Sequence, residues 1–430
     1  MKKTRMLLFV LLLFVSIFSS ACSNAEQADV DSGDEQDSGE ANEVRIVSLS
    51  NDEASFAEGF ELMGNTLEEK YQINFDINNH ADTTAYQSTL RTSLSTSQAP
   101  GFFKWWSGYR MEELVHDGLL ADLTGTWDTL IDQGVNPDLA NAFKFDDKMY
   151  GLPLTSNYWI IFYNMDVFKE NGIDIPNSWD EFMQVNETLK ENGIVPLAQS
   201  VDDRWPAFIW FEELMVRYDA DLFVDLMEGR ASYTDPSVIE VMEIWKSLYD
   251  HGYFSEPLNW QNTMASEFAN GNVAMIAMGD WYTSILTGQG MEPGEDFGAF
   301  ILPPIKPDAG NNIIFEAGAL LISENSADKE LALEAAEHLY EKEIIGEWTR
   351  EKGMAPLVPG VESNNPIIDS LMETIETDEY RLINRYWEGT PPDISEFAVD
   401  QFARFMLNPN EYMDVLATIE NHATDYWGSN

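Results

Sequence analysis

A single cysteine, Cys22, stands in the 430 residues, which rules out an intramolecular disulfide and leaves no second thiol for redox chemistry. The five histidines (His80, His116, His251, His338 and His422) are far apart in the chain, so no local spacing supports a metal site. Basic residues are also scarce, with 24 Lys and Arg against 75 Asp and Glu and a formal net charge of −51. Such a polyanion cannot displace counterions from phosphate and is a poor partner for nucleic acid. There is no Gly-x-Ser-x-Gly elbow, no phosphate loop ending in Gly-Lys-Ser/Thr and no His-Glu-x-x-His, and Gly288, Gly290 and Gly294 miss the dinucleotide spacing. Acids are so frequent that no one pair of carboxylates stands out as the acid and nucleophile of a glycosidase.

The chain also lacks an apolar run long enough to span a bilayer, which takes roughly 20 residues as a helix. Its most apolar segment, Met6 to Val15, follows Lys2, Lys3 and Arg5 and leads into the small residues Ser19, Ser20 and Ala21. That order is a secretory signal peptide over residues 1–21. Ser19-Ser20-Ala21-Cys22 resembles a bacterial lipobox, with Ser19 where Leu is usual, which would make Cys22 the acylated first residue of the mature chain and tie it to a lipid membrane. The alternative is a free cysteine beside an ordinary cleavage site, although exposed thiols are normally avoided.

Between Ser23 and Glu43 lie eight acids, no base and no aromatic. Such a segment cannot bury enough apolar surface to offset its ordering entropy, so residues 22–43 are expected to form a disordered acidic tether. Residues 1–21 contain three bases and no acids, so their removal takes the formal charge from −51 to −54. Repulsion on that scale is best tolerated where salt shortens the screening length, to about 3 Å at 1 M, which points to a saline or alkaline habitat. Solubility alone is the competing reason, but it calls for a net magnitude of only about 2–8 in a small domain.

The remaining body, from residue 44, is long enough for two domains. A strand at Val44–Leu49, a helix from about Glu53 to Tyr71 and a strand at Ile73–Ile77 make a βαβ unit with parallel strands. A helix over Ala85–Ser97 then leads to a strand ending in Trp105-Trp106-Ser107-Gly108-Tyr109. Asn157 to Asn164 reads as a strand, Ser178 and Glu181 have capping-box spacing for a helix to Glu191, and Asp235-Pro236 opens another. Further helices are expected at Pro206–Arg217, Met264–Asn270, Ala327–Lys342 and Tyr412–Tyr426. The apolar strand Val273–Met278 ends at Gly279 and is followed at once by Asp280, Trp281 and Tyr282. This alternation implies an α/β fold with mostly parallel sheets flanked by helices, in which ligands bind beyond the strands' carboxyl ends.

Tryptophan and tyrosine beside short polar residues at strand ends rise above this background. A sugar ring presents an apolar C–H face and a hydroxyl edge, and is met by aromatic stacking plus polar side chains. Trp179, Trp245 and Trp348, inside helices, are assigned to the core, whereas Trp106, Trp159 and Trp281 lie at strand ends.

Tyr150-Gly151-Leu152-Pro153, Tyr163-Asn164-x-Asp166, Ser178-Trp179-Asp180-Glu181-Phe182, Phe268-x-x-Gly271-x-x-Ala274-Met275, Gly279-x-Trp281 and Gly318-Ala319-Leu320-Leu321-Ile322-Ser323 occur in an order that resembles an extracellular solute-binding protein (family 1 type) of a bacterial carbohydrate ABC importer. The resemblance runs from Val44 onward and implies a non-catalytic, monomeric lipoprotein with a two-lobed periplasmic-binding-protein-like fold. Such a protein closes on a sugar at the hinge and delivers it to membrane permease subunits, with no cofactor. It also implies chain crossings near Leu154–Asn157, Gly318 and Gly353. The N-terminal lobe would then hold 44–155 plus 319–352, and the C-terminal lobe 156–318 plus 353–430. Trp281 matches the family's sugar-packing aromatic, and Trp106, Asn157 and Glu316 match its strand-end positions. Asp52, Tyr109, Trp159, Trp205 and Trp387 are added as ligand-binding candidates by position and chemistry. A secreted glycoside-cleaving enzyme and a binder of a peptide, polyamine or other cation remain as alternatives.

Overall fold

A computed structural model of the chain describes residues 43–53, 56–80 and 83–429. The signal peptide, Cys22 and, but for Glu43, the acidic tether lie outside the described residues. The strands are β1 (Arg45–Asn51), β2 (Ile73–Asn79), β3 (Phe102–Trp106), β4 (Lys144–Phe145), β5 (Lys148–Met149), β6 (Leu152–Asn164), β7 (Val195–Leu197), β8 (Val273–Gly279), β9 (Phe297–Phe300), β10 (Asn312–Ile322) and β11 (Arg381–Asn384). Nine of them form one sheet in the order β2-β1-β3-β10-β6-β8-β7, with β11 added to β10 and β9 to β6. β4 and β5 form a separate hairpin.

The βαβ start is present, with β1 and β2 parallel in register from Arg45 opposite Ile73 to Asn51 opposite Asn79. The sheet as a whole is mixed, where mostly parallel sheets were expected. β10 runs antiparallel to both β3 and β6, and β6 antiparallel to β8 and β9, while β10–β11 and β7–β8 are parallel. The cause is two long strands. β6 and β10 are 13 and 11 residues long, nearly all buried, and each changes partners along its length. The first half of β6 pairs with β10 up to Tyr158, and from Trp159 it pairs with β8. On β10, Asn312–Phe315 pair with β11 and Gly318–Ile322 with β3. These two strands join the parts of a two-lobed α/β body, and the register shift at Gly318 lies where they cross.

Helices cover the sheet with apolar faces. Helix Ala57–Tyr71 packs on Lys342–Lys352, where Phe60 and Trp348 rings meet at 4.9 Å. Gly59 is required there, since a β-carbon would stand 2.7 Å from Trp348 Cε3. Trp245 and Trp348 are core residues as expected, while Trp179 is half-buried against Phe182. Ser178 caps helix Trp179–Glu191 by accepting from the Glu181 amide, but Glu181 reaches back to Asn177 N–H and not to Ser178. The expected helix at 327–342 divides into Lys329–Ala336 and Lys342–Lys352. No helix among the described residues is long and apolar enough to cross a membrane.

Candidate functional site

A cleft of about 670 Å³ opens where β6 and β10 cross. Its floor is Leu154, Thr155 and Asn157 of β6 with Glu316, Ala317 and Gly318 of β10. Asn157 and Glu316 are directly opposed in the ladder, so their side chains leave the sheet on the same face. Around the floor the lining includes Glu53, Phe56, Lys104 and Trp106, the end of helix Lys342–Lys352, and Asp280, Trp281, Thr283 and Glu388.

Trp281 is positioned by the residue before the turn. Gly279 has φ −63° and ψ 148°, a conformation open to any residue, so glycine is not needed for a sharp turn. It is needed for room, since a β-carbon would lie 2.3 Å from Trp281 Nε1. The indole therefore folds back over bare backbone. Trp205 and Trp260 support it from behind in edge-to-face contacts at 6.0 and 5.7 Å. Trp106 also lines the cleft and is half-buried, with Lys104 Nζ 5.2 Å from its ring centre.

Two charged groups lie at the floor. Lys104 Nζ is 3.0 Å from Asp52 and 3.2 Å from Glu53. Arg385 pairs with Glu316 and Glu388, both at 2.6 Å, and packs over the face of Trp159 at 5.3 Å. Burial works against the Arg385 charge, but Glu316 and Glu388 outweigh it and hold the guanidinium ionised. The same burial pushes the Glu316 carboxyl up despite Arg385. Glu212, fully buried behind the pair and accepting from the Tyr386 amide at 2.9 Å, is pushed well up for the same reason.

Asp280 is different. It is 3% exposed, lines the cleft, and has no hydrogen-bond partner of good geometry on either carboxylate oxygen. The Tyr158 and Trp281 amides lie near enough to favour the ionised form, but burial outweighs them and, with Glu316 nearby, pushes the carboxyl up to about 8. Asn157 Oδ1 and Thr283 Oγ1 line the same space and are likewise buried without a partner. Most buried polar atoms in folded proteins are satisfied, so a cluster of orphans in one cleft marks where a ligand supplies the missing bonds.

The chain matches the family model described as bacterial extracellular solute-binding protein over residues 63–374. It belongs to that family. The members are binding proteins outside the cell and not enzymes. An uncharacterized ABC transporter extracellular-binding protein of Pyrococcus horikoshii is 25% identical over 309 residues, 69% of this chain and 68% of the relative. The multiple sugar-binding protein of Streptococcus mutans is 26% identical over 264 residues, 58% of this chain and 61% of the relative. Among solved structures, the bacterial solute receptor AcbH, whose described substrate is β-D-galactopyranose, superposes with a TM-score of 0.78 at 22% identity, covering 90% of this chain and 99% of that one.

Within this solute-binding protein, four of the residues singled out in the sequence line the cleft, namely Trp106, Asn157, Trp281 and Glu316. The other five stand outside its lining. Asp52 lies behind it, its side chain 2% exposed and bound to Lys104. Trp159 is 1% exposed beneath Arg385, and Trp205 backs Trp281. Trp387 is stacked on Phe208 at 5.6 Å and covered by Arg110 at 4.5 Å. Tyr109 sits in the short 3-10 turn Gly108–Met111, which the Gly108 backbone presses against Glu388, and is half-buried. The lining residues that the sequence did not single out include Lys104, Asp280, Thr283 and Glu388. For Asp280 a signal existed, because an acid between a buried strand and an aromatic is unlike the surface acids elsewhere.

Proposed function

We propose that this solute-binding protein captures a sugar or oligosaccharide outside the cell and delivers it to the permease of an ABC importer. The observation that carries this reading is the combination in one cleft of two tryptophans, Trp106 and Trp281, and buried, unpartnered polar atoms on Asn157, Asp280 and Thr283. Aromatic faces meet the C–H faces of a sugar ring, and the polar atoms meet its hydroxyls. The name of the S. mutans relative and the ligand described for AcbH agree with it. In this reading the lobes are residues 44–155 plus 319–352 and 156–318 plus 353–430, and they close about β6 and β10 as a hinge. The protein acts as a monomer, held to the membrane by acylated Cys22 through the acidic tether. Release of a Cys22→Ser variant into the medium tests the anchor; unchanged membrane association overturns it.

The deciding experiment is a thermal-shift screen against neutral sugars, amino sugars, peptides and polyamines, since a ligand that binds only the folded state raises the melting temperature. A rise with a neutral mono- or oligosaccharide supports the proposal. A rise confined to a polyamine or peptide replaces it with the cation or peptide reading.

A further inference from the structure

We propose that Asp280 is a specificity-determining residue of the cleft, accepting hydrogen bonds from a neighbouring pair of free ligand hydroxyls beside the ring that Trp281 covers. The proposal rests on the sugar-binding reading and refines the ligand's chemistry.

The argument begins from which atoms lack partners. Asp280 contributes two orphaned oxygens and Asn157 one carbonyl oxygen, all acceptors, and Thr283 one hydroxyl. The cations close by are already engaged: Arg385 with Glu316 and Glu388, and Lys104 with Asp52 and Glu53. Around Asp280 the cleft therefore offers more unpartnered acceptors than donors. Free hydroxyls supply donors; ring oxygens, acetal oxygens, methyl ethers, carboxylates and phosphates do not. An anionic sugar would also bring its charge against Asp280, Glu316, Glu53 and Glu388, and of the cations that line the cleft Lys104 is paired with Asp52 and Glu53, Arg350 with Glu347, and Lys352 lies over the Phe56 ring.

Position supports the same role. Gly279 pairs with Trp159 at the end of β8, which sets Asp280 just past the strand, beside the Tyr158 amide, and puts Trp281 next in the chain. The acceptor and the aromatic platform are thus held by one rigid strand end, a geometry that fixes a hydroxyl edge relative to a ring face. Surface acids carry no such constraint, and Asp280 is one of the few fully buried acids among the described residues.

Accepting from hydroxyls favours the ionised carboxylate. Burial opposes that form in the free protein and pushes the carboxyl up. The groups that act on it are Glu316 of β10 and, from β6, the Tyr158 amide and buried phenol; Arg385, Lys104, Glu388 and Glu53 act on Glu316 in turn.

The test is calorimetry on the full-length chain and on Asp280→Asn, which keeps the shape but cannot ionise. The probes are D-galactose, raffinose and chitobiose, the monodeoxy and O-methyl analogues of whichever binds, and D-galacturonate and spermidine. Each titration is run at pH 7. The expected result is about 10- to 100-fold weaker binding by Asp280→Asn, the range for a hydrogen bond to a charged group. Deoxy and methyl analogues should be rejected, and galacturonate should not bind. Equal affinity of a neutral sugar for both proteins, or preference for galacturonate, overturns the proposal while leaving the sugar reading intact. Binding of spermidine with no sugar binding overturns both. A melting temperature for Asp280→Asn at or above that of the parent shows that any loss is local to the cleft.

Discussion

The indole of Trp281 lies across the backbone of Gly279, so close that a β-carbon on the glycine would stand 2.3 Å from Nε1. Gly279→Ala is compatible with the backbone, which has ordinary extended angles, so the added methyl acts only on the indole. Overpacking of this kind costs about 1–3 kcal/mol. The expected outcome is a displaced Trp281, seen as a changed tryptophan emission, with weakened sugar affinity and an unchanged far-UV spectrum. Unchanged emission and affinity would show that the indole position is not set by Gly279.

Trp281→Ala separates platform from core. Half-buried and backed by Trp205 and Trp260, Trp281 presents a face to the cleft. Loss of an aromatic anchor weakens binding by roughly 2–4 kcal/mol, whereas loss of a core tryptophan costs about 3–5 kcal/mol of stability. The prediction is the first, measured as calorimetric affinity beside melting temperature on the one variant. A strongly destabilised protein that still binds sugar normally when folded would rule it out.

Arg385 holds three acids in place. It contacts Glu316 and Glu388 at 2.6 Å and its charge also acts on buried Glu212. Arg385→Leu leaves these carboxyls without their cation, which costs about 3–5 kcal/mol as for any broken buried pair. The loss should shrink as pH falls toward 4, because the acids then take up protons. Urea unfolding at pH 7 and pH 4.5 checks this; a loss equal at both would mean that packing against Trp159 and Phe208 dominates.

The parts of this site that could be read from the sequence are those with local causes. β8 is an unbroken apolar run that stops at Gly279, and Trp281 stands at the family's aromatic position just past it, so Trp281 was legible, although Asp280 and Tyr282 on either side of it are buried. Asn157 and Glu316 were reached through resemblance, and their direct opposition in the ladder is a long-range fact. Trp159, Trp205 and Trp387 look like Trp281 in sequence, but their exposure depends on neighbours distant in the chain, Arg385, Trp281 and Arg110. Asp52 appeared as a strand-end acid; its hold on Lys104 arises only because β1 and β3 lie side by side. The mixed sheet was hidden for a similar reason. Strand direction is a matter of pairing, and the first half of β10 carries no signal of its partner β11.

The acidic composition predicts salt-dependent stability. With a formal charge of −51 over the chain, carboxylate repulsion is poorly screened at low ionic strength, where the screening length is about 30 Å at 0.01 M against 3 Å at 1 M. The melting temperature should rise with NaCl from 0.01 to 1 M. A flat or falling curve would make solubility the sufficient reason for the charge.

Asp280 makes a further contribution that depends on pH. Its carboxyl is raised by burial from the usual range to about 8 in the folded chain. Between about pH 4 and 8 the unfolded chain has released this proton while the folded chain keeps it, so the unfolded state binds fewer protons and stability falls as pH rises. The contribution is fully present below the unfolded value and is lost as pH climbs through the folded one. One proton corresponds to about 1.4 kcal/mol per pH unit. Other acids superimpose their own slopes, so the informative quantity is the difference between the parent and Asp280→Asn. The variant should gain stability relative to the parent as pH rises from 5 to 8 and gain nothing further above about 9, measured by urea unfolding at each pH. A difference that stays constant from pH 5 to 8 would mean that Asp280 is ionised throughout, and that the cleft holds a permanent buried charge.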